Sequence, residues 1–545
     1  TTGNNNVAIG RNALTVATAS DNTAVGYNSL RLNTTGTDNV AVGYQALDAN
    51  TTANNNTAVG YNALKANTTG DENTAIGMGC LDSNTTGVDN TGGGVSTLQA
   101  NTTGGFNTGF GRGAIAFNTT ANHNSGFGNN ALFSNTTGSD NTAIGSFTLD
   151  ACTTGSNNTA GGASTLGALT TGGHNTAFGK ATADAVTTGD NNTAIGSHAL
   201  AANTEGSNNV VIGREALFTA SNLGNTTAIG YRALYANGNT GYQNTAIGYV
   251  ALSSNTTGDS NTAVGREALE ANTTSINNTA VGYQALHNST TGGYSTAVGT
   301  GALESQTTGS QNNAFGYFAA TSLTTGSENV CIGSGVASNS SSTTFSKCVL
   351  VGTDVAQGAA FTGEHNTLIG RQAGYFITSG ENNSCLGSGS GTSSSPSGNI
   401  GTGDNTICLG DNNITALFCA DTSISSSDER DKADITDFNI GLEWINALRP
   451  VTYKWDKRTW YGTDAEPYGT PDGSKKKSSV NIGFLAQEML AVEKTHGYGN
   501  TNDDSLIVMN NLDEMSYGIK YERLVPILVN AIKELSVKVT ALEAG

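Results

Sequence analysis

A serine and a lysine lie five positions apart in SSSDERDK (425–432), where a chain of low charge becomes charged and varied. A serine hydroxyl is a poor nucleophile until a base takes its proton, and a lysine can be that base only when neutral. Burial lowers a lysine pKa, and burial is easiest at an interface between subunits. Arg430 opposes protonation of Lys432, whereas Asp428 favours it. The pattern therefore fits either a Ser427–Lys432 catalytic dyad or a charged cap on a linker.

Composition and charge restrict the classes of function. The 545 residues include 72 Gly, 5 Pro and 12% charged residues, which is unusual for both globular enzymes and disordered chains. Of the 24 Lys/Arg and 43 Asp/Glu, residues 1–420 hold 10 and 23, and residues 421–545 hold 14 and 20. No basic stripe is present, so we expect no nucleic-acid partner. No run of 18 apolar residues occurs, so we expect no membrane insertion.

The seven cysteines are odd in number and form no CxxC pair. This pattern favours buried free thiols in a reducing compartment over a disulfide framework. The spacing does not suit metal ligation either. We therefore expect no metal site and no cofactor.

The first three quarters of the chain form a repeat array. A glycine that ends an NTAVG-type segment recurs 24 times between Gly10 and Gly410, almost always 17 residues apart. A 17-residue unit is too short for two α-helices or a propeller blade, but it suits one coil of a parallel β-solenoid. The sequence predicts a mostly β protein: a β-roll shaft of about 24 coils (1–410, with insertions at 334–365 and 388–404), followed by an α+β domain.

Within one repeat, Thr57-Ala58-Val59 is β-prone and alternating. We predict that Val59 faces the interior and that Ala58 points the other way. The polar stretch 67–70 (NTTG) is predicted to form exposed turns, and columns of Asn to hydrogen-bond between coils. The predicted shaft core comprises Val59, Leu64, Ile76, Ile144 and Val264.

Such a coil buries about two medium apolar side chains, or roughly 3–5 kcal/mol against the ordering entropy of 17 residues. Additional burial must therefore come from other chains. The repeats resemble the NSVAIG-type repeats in the heads of trimeric autotransporter adhesins, which are left-handed parallel β-rolls packed as trimers. The two Ser/Gly-rich insertions are interpreted as surface loops or as a ligand-contacting knob.

After Ile424 the composition changes to that of a mixed domain. The apolar spacing predicts a helix from residue 440 through Leu448, which Pro450 stops, and then a strand. A helix over 517–544 is predicted at the end of the chain, with a heptad seam that needs partner helices. The seam residues are Tyr521, Val525, Leu528, Ile532, Leu535, Val539 and Leu542.

Four segments in this order resemble the C-terminal intramolecular chaperone of endosialidases, phage tail fibres and tail spikes: SDERDKADI (427–435), LRPVTYKW (448–455), IGFLAQEM (482–489) and YERLVPILVNAIKEL (521–535). The family signature Ser-Asp-x-Arg-x-Lys is complete here. The resemblance implies that the domain trimerises, registers three shafts and then cleaves the bond between Ser426 and Ser427. It assigns catalysis to Ser427 and Lys432, with Asp428 and Arg430 in support.

We therefore expect a linker at 411–426, a chaperone domain at 427–545 and a homotrimeric virus tail fibre assembled in the host cytoplasm. Its expected partners are a host cell-surface receptor (a glycan or a surface protein) and, through a missing N-terminal region, virion tail or baseplate proteins. Self-cleavage would be a single-turnover serine endopeptidase activity. The alternatives are a trimeric adhesin on a bacterial cell surface and a tail-spike depolymerase, which would need paired carboxylates.

Overall fold

The computed structural model describes residues 3–236, 238, 241–414, 435–462, 469–501, 504–510 and 517–544. The chain divides into two compact units, residues 1–365 and residues 366–545, and each is described by itself.

Unit 1 is a parallel β-solenoid, as the repeat period predicts. Each coil contributes one three-residue strand that pairs in register with the strand of the next coil, for example Thr57 with Thr74 and Val59 with Ile76. The strands are β1 Val7–Ile9, β2 Thr23–Val25, β3 Val40–Val42, β4 Thr57–Val59, β5 Thr74–Ile76, β6 Thr91–Gly93, β7 Thr108–Phe110, β8 Ser125–Phe127, β9 Thr142–Ile144, β10 Thr159–Gly161, β11 Thr176–Phe178, β12 Thr193–Ile195, β13 Val210–Ile212, β14 Thr227–Ile229, β15 Thr245–Ile247, β16 Thr262–Val264, β17 Thr279–Val281, β18 Thr296–Val298, β19 Asn313–Phe315, β20 Val330–Ile332 and β21 Val349–Val351.

The prediction for the inward face of the strands is wrong. The middle residue faces the interior: Ala58 is fully buried, as is Leu64 in the following turn. The third strand residue points outward. Val59 and Val264 are only partly buried, and Ile76 and Ile144 are each 51% exposed.

The narrow interior explains why alanine takes the inward place. At Gly92, which is equivalent to Ala58, an added Cβ would overlap the sulfur of Cys80 in the preceding coil. A close-packed interior accommodates a side chain as large as leucine where a neighbouring side chain shrinks. Where leucine replaces the inward alanine, at Leu350, alanine accordingly stands in the following leucine position, at Ala356.

Buried asparagines join successive coils, as predicted. The side-chain oxygen of Asn50 accepts a hydrogen bond from the Asn67 side chain at 3.2 Å, and Asn67 also donates to the backbone oxygen of Gly70 at 2.9 Å. Asn67 is fully buried, so the prediction that the whole of 67–70 is exposed is wrong. Burial is possible because the neighbouring coils satisfy the amide group. Thr69 is the exposed residue of this turn.

The segment 334–365 contributes to the interior of unit 1 as well as to its surface. It contains β21, and the rings of Phe345 and Phe361 are fully buried with their centroids 5.1 Å apart.

Unit 2 begins with three further parallel strands, β22 Thr367–Ile369, β23 Ser384–Leu386 and β24 Ile407–Leu409. The second insertion, 388–404, contacts the strands of this unit. Its residue Gly391 donates its backbone N–H to the sulfur of Cys408 at 3.1 Å.

The remaining elements of unit 2 form an α+β region. They are α1 Leu442–Ala447, β25 Val451–Tyr453, β26 Asn481–Gly483, α2 Ala486–Thr495, β27 Val508–Asn510, β28 Tyr517–Ile519 and α3 Leu524–Glu543, with short 3₁₀ turns at Arg458–Trp460 and Tyr521–Arg523. β25 pairs with β26 and β27 with β28, both antiparallel. The last helix begins at Leu524 and not at residue 517, because β28 and a 3₁₀ turn occupy the intervening residues.

Candidate functional site

The α+β region of unit 2 has its own small core. Trp444 of α1 is fully buried, and Met489 of α2 packs in the same cluster. Leu524 and Ile527 bring the first turns of α3 into this core. One face of α3 is therefore already used within its own chain.

A buried carboxylate connects α2 to the strand that follows it. Glu493 is fully buried, and its Oε1 accepts the backbone N–H groups of Ile507 at 2.6 Å and Val508 at 2.9 Å. Its Oε2 accepts the Ser505 hydroxyl at 2.9 Å. A buried charge is tolerated when hydrogen bonds replace its water. The sequence did not reveal this residue, because an acidic side chain on a short amphipathic helix looks like an ordinary surface residue.

Polar side chains of α3 hold the segment that leads into α1. Asn530 donates from its side chain to the backbone oxygens of Phe438 and Ile440, the latter at 3.4 Å. Glu534 accepts the backbone N–H of Leu442 at 3.1 Å, the first residue of α1. Acceptors are favourable there because the first N–H groups of a helix have no partner within it. These contacts fix the orientation of α3 on its own domain.

A second face of α3, adjacent to the one that enters the core, is apolar and uncovered in the part of the chain that the structure describes. Its residues have exposed fractions between 43 and 82%, and they are Val525, Leu528, Ile532, Leu535, Val539 and Leu542. Their 3-4 spacing is that of a coiled-coil seam. This face is therefore available to pack against a further helix.

Tyr521, the first residue of the predicted seam, has a different place. It lies in the 3₁₀ turn before α3, and its hydroxyl oxygen accepts the backbone N–H of Phe484 at 3.2 Å. The helical seam therefore begins at Val525.

The predicted cleavage residues, Ser426, Ser427, Asp428, Arg430 and Lys432, lie outside the described residues. The described chain reaches residue 414 on one side of them and resumes at residue 435 on the other. The dyad stays a prediction.

Residues 427–498 match the family described as chaperone of endosialidase.

This chaperone segment begins at Ser427, the residue that the motif singles out as the nucleophile, and it extends through α2. It spans 72 of the 545 residues, so it characterises a part of the chain. A chaperone-of-endosialidase segment beside a β-solenoid shaft fits a protein of the tail-fibre or endosialidase type. No curated protein matches the chain. Among the described residues, none of the helices has the length and apolar character needed to cross a membrane.

The chaperone segment contains a lysine between two aromatic rings. The Lys457 Nζ lies 5.1 Å from the ring centroid of Trp455 and 6.0 Å from that of Trp460. Burial lowers the pKa of Lys457 below its ordinary value. A base for serine must be a neutral lysine, so Lys457 is a natural comparison for Lys432 in any cleavage experiment.

In the described shaft, one group of side chains has the composition of a metal site. Ligand atoms of Glu267, Glu270 and His287 lie within 4.8 Å of one another. The Glu267 carboxylate, however, is already held by Arg266 Nη2 at 2.7 Å and by Gln284 Nε2 at 2.8 Å. The His287 Nδ1 lies 3.5 Å from Glu270 Oε2. These pairings account for the cluster as a polar network between two coils, and we assign no ion to it.

Proposed function

We propose that this chain is the subunit of a homotrimeric virus tail fibre, whose C-terminal region aligns three chains and then releases itself by cutting before Ser427. The observation that carries the proposal is the exposed apolar seam of α3 on a helix whose other face is fixed in its own domain. Chaperone domains of the matched family act in trimer assembly.

The seam contributes to assembly through burial. Six residues that are at least 43% exposed lose water contact when helices associate. At about 1 kcal/mol for each half-exposed side chain, one helix contributes on the order of 6 kcal/mol. This is enough to favour association once the domains hold their helices in parallel.

The residue types along the seam bear on the number of helices. Val525, Ile532 and Val539 alternate with leucines, a pattern that by itself favours two strands. Val529, which is also exposed, widens the apolar face beyond the two-position seam. We propose three chains because of this width and because of the trimer-assembly role of the matched family.

Self-cleavage would use the dyad chemistry. The Ser427 hydroxyl attacks the carbonyl carbon of Ser426 while neutral Lys432 takes the hydroxyl proton. The peptide nitrogen leaves as an amine after receiving a proton, and water hydrolyses the resulting ester to a carboxylate and the free hydroxyl. Once the chaperone has left, the shaft would persist because of a high barrier to unfolding.

The shaft is proposed to present a host-receptor surface on the virion, in keeping with the tail-fibre type that the chaperone segment and solenoid fit. Analytical ultracentrifugation of the purified chain tests the assembly step. The expected result is a trimer, and a monodisperse monomer or dimer would contradict the proposal. N-terminal sequencing of any C-terminal fragment tests the cleavage step, with Ser427 expected as its first residue.

A further inference from the structure

The outward face of the strands in unit 1 carries no charge. Each of the 21 strands has two outward residues, the first and the third. None of these 42 residues is Asp, Glu, Lys or Arg, although 12% of the whole chain is charged, which would place about five there. The first residue is Thr, Val, Ser or Asn, and the third is Val, Ile or Phe in 19 strands and Gly in two. We call this the outer strand face.

The outer strand face is continuous and exposed. Neighbouring strands pair in register, so third residues such as Val59 and Ile76 stack directly on one another. Phe110, for example, is 45% exposed. Soluble monomers rarely expose contiguous apolar patches of more than a few hundred Å². The third residues of the strands form a stripe that continues along every coil of unit 1, and this stripe exceeds that limit.

Where a side chain is missing from the stripe, a neighbour fills its place. Gly93 and Gly161 are the two glycines at the third strand position. The next strand has phenylalanine there, and an added Cβ on Gly93 would lie 2.5 Å from the Phe110 ring. The corresponding distance from Gly161 to the Phe178 ring is 2.6 Å. The ring thus covers the glycine, and the apolar surface stays filled, as expected of a packed surface.

Charged residues are accepted elsewhere on the coils. Arg31 Nε lies 2.7 Å from Asp48 Oδ1 in the next coil. Arg232 Nε lies 2.6 Å from Glu215 Oε2 in the coil before it. Both pairs lie on the turns that follow the strands. Charge is therefore excluded from the outer strand face in particular, and not from the solenoid surface in general.

We infer that the outer strand face packs against the same face of other copies of this chain, so that it forms the shaft interface of the fibre. The inference rests on the proposed trimer. An ordinary globular partner would cover only a few coils, whereas a stripe of 21 strands is matched along its length by a rod with the same repeat. At about 50 Å² for each third residue, the stripe offers roughly 1,000 Å² per chain, above the ~800 Å² that one partner buries in a standard interface.

Cysteine accessibility tests this inference. Ile144→Cys places a thiol on the stripe, and Thr137→Cys places one on the exposed turn of the preceding coil as a matched control. In the assembled protein, we expect a maleimide to label Ile144→Cys at least tenfold more slowly than Thr137→Cys, with wild-type labelling subtracted. Oxidation should give disulfide-linked dimers of Ile144→Cys only. Val264→Cys is the second stripe variant if Ile144→Cys does not fold.

Equal labelling of stripe and control in a protein that sediments as a trimer would overturn this inference and leave the proposed function standing. A monomeric wild type would overturn both.

Discussion

The side-chain oxygen of Asn56 accepts a hydrogen bond from the backbone N–H of Asn73, one coil further along, at 2.9 Å. Asn73 repeats this contact with the backbone N–H of Asn90 at 3.0 Å. Each asparagine thus gives the next coil a partner for a buried backbone group that lies beside the strand ladder. The solenoid is held by this polar column as well as by its apolar interior.

Asn73→Ala should therefore destabilise the shaft locally. The backbone N–H of Asn90 loses its acceptor inside the protein, which costs about 1–3 kcal/mol. Amide hydrogen exchange at Asn90 should accelerate, and unfolding in urea should begin at lower denaturant. Thr69→Ala, on the exposed turn of the neighbouring coil, is the control and should match the wild type. Equal exchange at Asn90 in both variants would contradict a structural role for the column.

The thiols give a pH-dependent test of the solenoid interior. Burial raises the pKa of Cys80 to about 12 and that of Cys152 to about 11, from an ordinary value of 9.0. In a Cys419→Ser background, these thiols should resist a thiol reagent at pH 8 and react once the chain is unfolded. Because the unfolded thiols ionise first, stability should fall as the pH rises above 9 toward these raised values. Rapid reaction of the native protein would show that the interior is open.

Glu493→Gln should weaken the α+β region. The amide presents only one oxygen where the carboxylate accepts three hydrogen bonds, and it places an amino group near donors. We expect a loss of about 1–3 kcal/mol in the free energy of unfolding of this region. Glu488→Gln, on an exposed part of the same helix where the carboxylate pairs with Arg449, is the control and should lose less. Thermal melts of both variants compare them directly, and equal losses would contradict the role assigned to Glu493.

Two valines of α3 allow a substitution on the seam to be compared with one away from it. Val539 lies on the seam and is 43% exposed, whereas Val537 lies on the opposite side and is 70% exposed. Val539→Asp would bury a charge in every copy at the same level, and it should weaken association at least tenfold. Val537→Asp should leave association unchanged. Sedimentation over a range of concentrations measures both, and a reversed or equal effect would place the interface elsewhere.

The sequence predicted the solenoid well because the 17-residue period fixes the coil. It did not predict which side of the strand is inward, since Ala58 and Val59 alternate and a shift of one residue exchanges the faces. The sequence does contain a signal that decides the register. The two inward leucines occur where the leucine position becomes small, at Leu350 with Ala356 and at Leu368 with Gly374. Because valine is larger and more apolar than alanine, apolarity alone favours the opposite register, with valine inward.

In the C-terminal region, too, the sequence predicts some features and not others. The 3-4 pattern predicted the exposed seam of α3 because helical periodicity is local. The role of Glu493 depends on a strand that returns from 14 residues further along the chain, so spacing alone cannot reveal it. Tyr521 fits the heptad by spacing, but it lies in the 3₁₀ turn before the helix, and its hydroxyl contacts Phe484.

The base of the proposed dyad can be tested against a second lysine. Lys432→Ala should abolish cleavage, whereas Lys457→Ala, which removes the lysine held between two tryptophans, should still cleave. Gel analysis of both proteins after expression gives the result. If cleavage survives Lys432→Ala but not Lys457→Ala, then Lys457 and not Lys432 is the base.

The intact mass of the wild type beside Ser427→Ala tests self-release most directly. We expect the wild type to give two chains, of residues 1–426 and 427–545, and Ser427→Ala to give one chain of 55.3 kDa. Ser425→Ala, which leaves the proposed nucleophile in place, should cleave like the wild type. An uncut wild type, or a Ser427→Ala chain that is still cut at the same bond, would contradict the account.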